Sequence, residues 1–216
     1  MRQLTQMYFL RDGSLDYLPQ FYAVQKLHSF FSLHNIKYYV TGCFARMCYN
    51  SKELTDDLDI LTINCELNYL VHELRQDLSI SNIVVKHKSI KFSMNINDVV
   101  MRVDLILAPS NFNYGEPNNS FGPFCVLSLP KLVEHYLFLM DERMLSFTQI
   151  TKYLSGVQNL IEHKKLDRSF GLLLSEPYQP VFNILIDFRD EENPKMDPFD
   201  LLSHIESFGC KFENVQ

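Results

Sequence analysis

The chain has 216 residues, of which 46% are hydrophobic and 21% charged, and its 13% aromatic content is all Phe and Tyr. That length supports a real core, with room for one domain and an appendage, and the composition excludes a disordered chain. A net charge of −6 argues against a sequence-independent DNA coat, while leaving room for a local basic groove.

The five cysteines (Cys43, Cys48, Cys65, Cys125 and Cys210) are odd in number and form no CxxC pair. A disulfide framework or zinc knuckle is therefore not expected, and a reducing, cytoplasmic compartment is. Met1 to Gln6 lacks the apolar core of a signal peptide, and no run of about eighteen apolar residues appears, so no membrane association is expected.

From Asp16 to Asn35, Leu18, Phe21, Val24, Leu27 and Phe31 fall three or four apart, which predicts an amphipathic helix. Ile36 to Val40 is β-rich and ends at Gly42. Cys43 to Asn50 predicts a short helix with Phe44 and Met47 inward; Ser51 to Asp56 reads as a polar loop and Leu58 to Ile63 as a strand. Leu67 to Leu78 has helical spacing, and strands follow at 82–88, 89–96 and 99–107, with Asn97 and Asp98 in a hairpin turn.

Pro109 to Pro123 is a loop long enough to be a lid or a domain connection. Helices are expected at Pro130–Met140, Thr148–His163 and, shorter, Asp200–Phe208, with Asp190–Pro198 solvated. The stretches Gly171–Leu174 and Pro180–Phe188 are apolar and read either way. Strands followed by helices imply an α+β protein: a mixed sheet domain over 1–110 flanked by helices, and a mainly helical region over 124–216.

Three carboxylates stand inside apolar strand-like runs. Asp57 and Asp59 lie at i and i+2, so on a strand they share one face. Asp104 interrupts Val99-Val100-Met101-Arg102-Val103-Asp104-Leu105. Adjacent strands are about 4.8 Å apart, close enough for Asp104 to join the first two. Crowded acids repel unless a cation lies between them, and hard oxygen ligands suit Mg²⁺, which shares its sphere with phosphate oxygens. Read singly, each acid is equally a solvated charge or a partner in a salt bridge. Thr41-Gly42-Cys43 adds a strand-to-helix turn whose free amides suit an anion. One turn later, Arg46 is within reach of a triphosphate, and Lys52 follows; both also read as surface charges. Arg102, two residues before Asp104, either neutralises that acid or touches nucleotide. The histidines show no ligand spacing.

Taken together, the strand, the glycine turn, the short helix, the Asp57-Leu58-Asp59 strand and the late Asp104 resemble the nucleotidyltransferase superfamily, with its DNA polymerase β-like fold. Thr55, two residues before the first acid, is similar to minimal and abortive-infection-type nucleotidyltransferases, as is Phe124 to Leu132. The resemblance implies a domain that transfers a nucleoside monophosphate from an NTP to an acceptor hydroxyl on tRNA, protein or a small molecule. It implies Mg²⁺ (or Mn²⁺) on Asp57, Asp59 and Asp104, with Gly42, Cys43, Arg46 and Lys52 on the nucleotide. Cys43 departs from the usual Gly or Ser, and the later Arg followed by Lys-Asp is absent, with Arg143 and Lys152 as distant stand-ins. The alternatives are a binding module of this fold without activity, or one component of a toxin–antitoxin pair. A late acid turned away from the pair, or a lysine filling the spot where ions should lie, overturns the enzymatic reading.

Overall fold

The computed structural model describes residues 19–49, 55, 57–141 and 147–190. Leu18, Lys52, Arg143, Cys210, most of the 51–56 loop and the expectations beyond residue 190 lie outside the described residues. Two compact units are present: Met1–Cys48 with Lys52–Ser128, and Tyr49–Ser51 with Leu129–Gln216.

The first unit is α+β. Its order is α1 (Pro19–Leu33), β1 (Lys37–Thr41), α2 (Gly42–Cys48), β2 (Asp57–Ile63), α3 (Leu67–Asp77), β3 (Ile80–Lys86), β4 (Ser89–Ile96) and β5 (Val99–Leu107). The five strands form one mixed sheet in the order β1-β2-β5-β4-β3. Only β2 and β5 run parallel; the other neighbours are antiparallel.

The strand pattern explains the sheet's two faces. On one face stand Leu58 and Ile60 of β2, Ile90 and Phe92 of β4, and Val103 and Leu105 of β5, all buried. Helix α1 packs across β1, β2, β4 and β5, its Phe31 ring centroid 4.5 Å from that of Tyr38. Tyr38 shares the face of Ile60, so α1 covers the apolar side. The expected stripe Phe21, Val24, Leu27 and Phe31 is the buried one. Burying such side chains stabilises by roughly 1.5–3 kcal/mol each.

Asn97 and Asp98 both have positive φ, 49° and 65°, and close the β4–β5 hairpin with Ile96 opposite Val99. A two-residue turn with two positive φ values matches the strand twist and fixes the register. Residues 109–123 are not a free lid. Phe112 and Tyr114 are buried, Tyr114 stacks on Tyr39 at 5.6 Å, and the Tyr39 hydroxyl donates to Gly115 O at 2.7 Å. The chain then runs beside β1: Val40 N donates to Cys125 O at 2.7 Å and Leu127 N to Val40 O at 3.2 Å.

The second unit is helical in its described residues: α4 (Leu129–Asp141), α5 (Phe147–Lys164), α6 (Arg168–Gly171), a 3₁₀ turn (Glu176–Tyr178) and α7 (Gln179–Asp190). The ambiguous 171–174 and 180–188 stretches are thus a helix end and a helix. Buried Glu134 pairs with Lys131 and accepts from Ser175 N and Oγ, a partner set that compensates its burial. No described helix is long and apolar enough to cross a membrane.

Candidate functional site

The parallel β2–β5 ladder sets Asp59 opposite Asp104 and Asp57 opposite Arg102. Thr41 of β1 faces Asp59 from the other side, and Lys91 of β4 faces Asp104. Residues in register point to one face, so Thr41, Asp59, Asp104 and Lys91 form one row across four strands. This row lies on the side of the sheet opposite α1. Like charges directly opposite on neighbouring strands are destabilising unless a counter-charge compensates them.

Gly42 closes the row. Its φ is +66°, a conformation that L side chains rarely adopt. A Cβ placed there would stand 2.1 Å from Asp59 Oδ2 and 2.9 Å from Asp59 Cβ. The glycine is therefore required twice, by the turn and by the acid packed against it. Cys43, the next residue of α2, is half-buried. Arg46 is buried, at 6% exposure, so it is not a solvated surface charge.

Asp57 is held by a relay the sequence did not reveal. Thr55 Oγ1 donates to Asp57 Oδ1, and Gln20 Nε2 of α1 donates to the Thr55 carbonyl. Gln20 is 1% exposed and Thr55 9%. Such second-layer contacts orient ligands and tune their affinity. Nothing local in the sequence ties Gln20 to residue 55.

Lys91 was also missed. Its ammonium pairs with Asp104 Oδ2, approaching from β4, whereas Asp59 stands on the β2 side. The signal was available: Lys91 lies six residues before the Asn97–Asp98 turn and Asp104 six after it, so a two-residue hairpin makes them partners.

The donor set fits a hard cation. Asp57, Asp59 and Asp104 offer only oxygens. Thr41 Oγ1 and Asp104 Oδ1, which flank Asp59 in the row, are buried without hydrogen-bond partners. An orphaned buried oxygen costs about 1–3 kcal/mol, so both mark a place where a ligand would be stabilising. The ammonium of Lys91 already supplies positive charge at the same carboxylate.

A second cluster gathers around His34, although the histidines show no ligand spacing along the chain. His34, Glu73 and Asp77 bring one ligand atom each within 4.8 Å of one another. Here both ring nitrogens are engaged, Nε2 with Asp77 Oδ2 at 2.7 Å and Nδ1 with the Tyr69 hydroxyl at 3.0 Å. A concavity of about 550 Å³, lined in part by Lys26, Phe30, Leu33, Leu78 and Met94, contains none of the three aspartates. Asp77 of the histidine cluster is also on its wall, but that carboxylate is already bonded to His34 Nε2, so the acid row with its unpartnered oxygens is the stronger candidate.

No family model matches the chain, and no curated protein does either. Among solved structures, it is similar to the antibiotic-resistance factor ANT(2'')-Ia, at 13% identity over 88% of this chain and 97% of that one, TM-score 0.49. It is also similar to JHP933 from Helicobacter pylori, at 14% identity over 88% and 97%, TM-score 0.44. Within the chain itself, strand, glycine turn, short helix, double-acid strand and late-acid strand follow one another in that order.

Proposed function

We propose that the chain is a Mg²⁺-dependent nucleotidyltransferase that moves a nucleoside monophosphate from an NTP to an acceptor hydroxyl. The observation that carries this reading is the register of Asp59 with Asp104, with Gly42 packed against Asp59. When bound, the divalent cation would supply charge neutralisation of the phosphates (Mn²⁺ serving as substitute). Asp57 and Asp59 would hold one such ion, and Asp104 would complete a second position.

The protein's own groups then have distinct tasks. Thr55 keeps Asp57 in its ligating orientation, and Gln20 keeps Thr55 in place. Gly42 and the Cys43 amide receive phosphate oxygens at the start of α2. Arg46 and Lys52 are assigned to the polyphosphate. Asp104 accepts the proton of the attacking hydroxyl at its carboxylate. Localisation in the cytoplasm accords with Cys48, Cys65 and Cys125 standing outside any disulfide.

The experiment is incubation of the full chain with labelled NTPs and a panel of RNA, protein and small-molecule acceptors, following label transfer and pyrophosphate release. Mg²⁺-dependent transfer that disappears in Asp59→Asn supports the reading; undiminished transfer in that variant refutes it. A second reading, a nucleotide-binding module without transfer, is favoured by one observation, the Lys91 ammonium on Asp104. It predicts nucleotide binding with no label transfer to any acceptor. As a toxin–antitoxin component, the same chain would bind a partner protein encoded beside it.

A further inference from the structure

Asp104 treats its two oxygens differently. Oδ2 is ion-paired with Lys91, and Oδ1 is buried with no hydrogen-bond partner. The pair is also unequal in freedom: the Lys91 side chain is 47% exposed and that of Asp104 19%. A half-exposed ion pair is weak, and a lysine head on its flexible stem moves into water without leaving a buried charge of its own. Asp104 has no such exit. It sits on the central strand of the sheet, between Asp59 on β2 and Lys91 on β4. With the ammonium gone and nothing in its place, Asp104 would lose the charge paired with Oδ2 while Oδ1 stays buried without a hydrogen-bond partner.

We propose that Lys91 is a built-in counter-ion that neutralises Asp104 in the nucleotide-free protein and yields that carboxylate to a second divalent cation arriving with the polyphosphate. Lys91 is thus a gate on occupancy of the second cation position and touches neither substrate nor reacting atoms. The proposal rests on the nucleotidyltransferase reading and adds its regulation. One ammonium brings a single charge to Asp104. A divalent cation brings two, together with phosphate oxygens that complete its own sphere, and so displaces the lysine only when nucleotide is present. A divalent cation alone would meet a site already neutralised. This orders the events: the cation held by Asp57 and Asp59 enters independently of Lys91, and the one shared with Asp104 requires nucleotide.

The test is titration of the full chain with Mn²⁺, followed by the electron paramagnetic resonance of the free ion, with and without a non-hydrolysable ATP analogue. Lys91→Met keeps the stem and removes the charge. It should bind the second Mn²⁺ more tightly than wild type by up to about fivefold, the most that a half-exposed ion pair is worth, and leave the first unchanged. Lys91→Arg keeps the charge and should match wild type, which separates a charge effect from a packing effect. Equal second-ion affinity in wild type and Lys91→Met, weaker affinity in Lys91→Met, or a single bound ion in both overturns the gate. Asp57→Asn identifies failure of the underlying reading: if it binds Mn²⁺ and nucleotide as wild type does, the acid site itself is refuted, and the gate with it.

Discussion

Two clusters of titratable groups lie on the sheet-bearing unit, and they differ in one decisive respect. At His34, Glu73 and Asp77, every described hydrogen-bonding demand of the imidazole is met from within, by Asp77 and Tyr69. In the row Thr41–Asp59–Asp104, two buried oxygens, Thr41 Oγ1 and Asp104 Oδ1, have no hydrogen-bond partner. A cluster that satisfies itself is explained by stability alone. A cluster that leaves buried oxygens unsatisfied bears a cost that a ligand removes. Proximity of ligand atoms marks both clusters; unmet demand marks only one.

The strongest way to break this contrast is to remove one acid. Asp59→Asn should lower nucleotidyl transfer at least about a thousandfold while the melting temperature stays near wild type, checked by label transfer and calorimetry. Gly42→Ala comes next. The positive φ costs an alanine about 1–2 kcal/mol, and the Cβ displaces Asp59, so transfer should fall on the order of a hundredfold along with a lower melting temperature. Thr55→Val should weaken Mn²⁺ binding by about tenfold through loss of the Asp57 contact, with titration as the measure. Smallest is His34→Ala. It should change stability by no more than about 1 kcal/mol in urea denaturation and leave Mn²⁺ affinity untouched. A large loss of metal binding in that variant would reverse the ranking of the two clusters.

A thiol measurement sharpens the picture of the turn. Burial pushes the Cys48 thiol up to about 12. At pH 8 it stays protonated and should be unreactive toward alkylating reagents in the native protein. The unfolded chain, with an ordinary thiol, reacts; rapid native labelling of Cys48 would mean that the last turn of α2 opens readily.

Much of this arrangement was legible because it is written in local periods. The α1 stripe and the alternation along β5 follow from period 3.6 and period 2, and both helices and strands were found within a few residues. The Asp57–Asp59 pair announced its shared face through the same alternation. What the chain did not announce was long-range. The parallel pairing of β2 with β5 puts Asp59 beside Asp104 across an intervening helix and hairpin; strand spacing allowed that meeting, but no local period specified the pairing. Gln20 reaches residue 55 through tertiary packing alone. Lys91 stood in plain view, since Ile90-Lys91-Phe92 reads as an exposed polar position on an alternating strand. The hairpin register converts that surface charge into a partner of the late acid.

The central claim is that the acid row of β2 and β5, and not the histidine cluster, holds the cation. Crystals of the full chain soaked with Mn²⁺ and a non-hydrolysable NTP analogue, with data collected at the manganese edge, test it most directly. The account predicts an anomalous peak bounded by Asp57, Asp59 and Asp104, with phosphate density at Gly42. A peak beside His34, Glu73 and Asp77 with none at the acid row would contradict it.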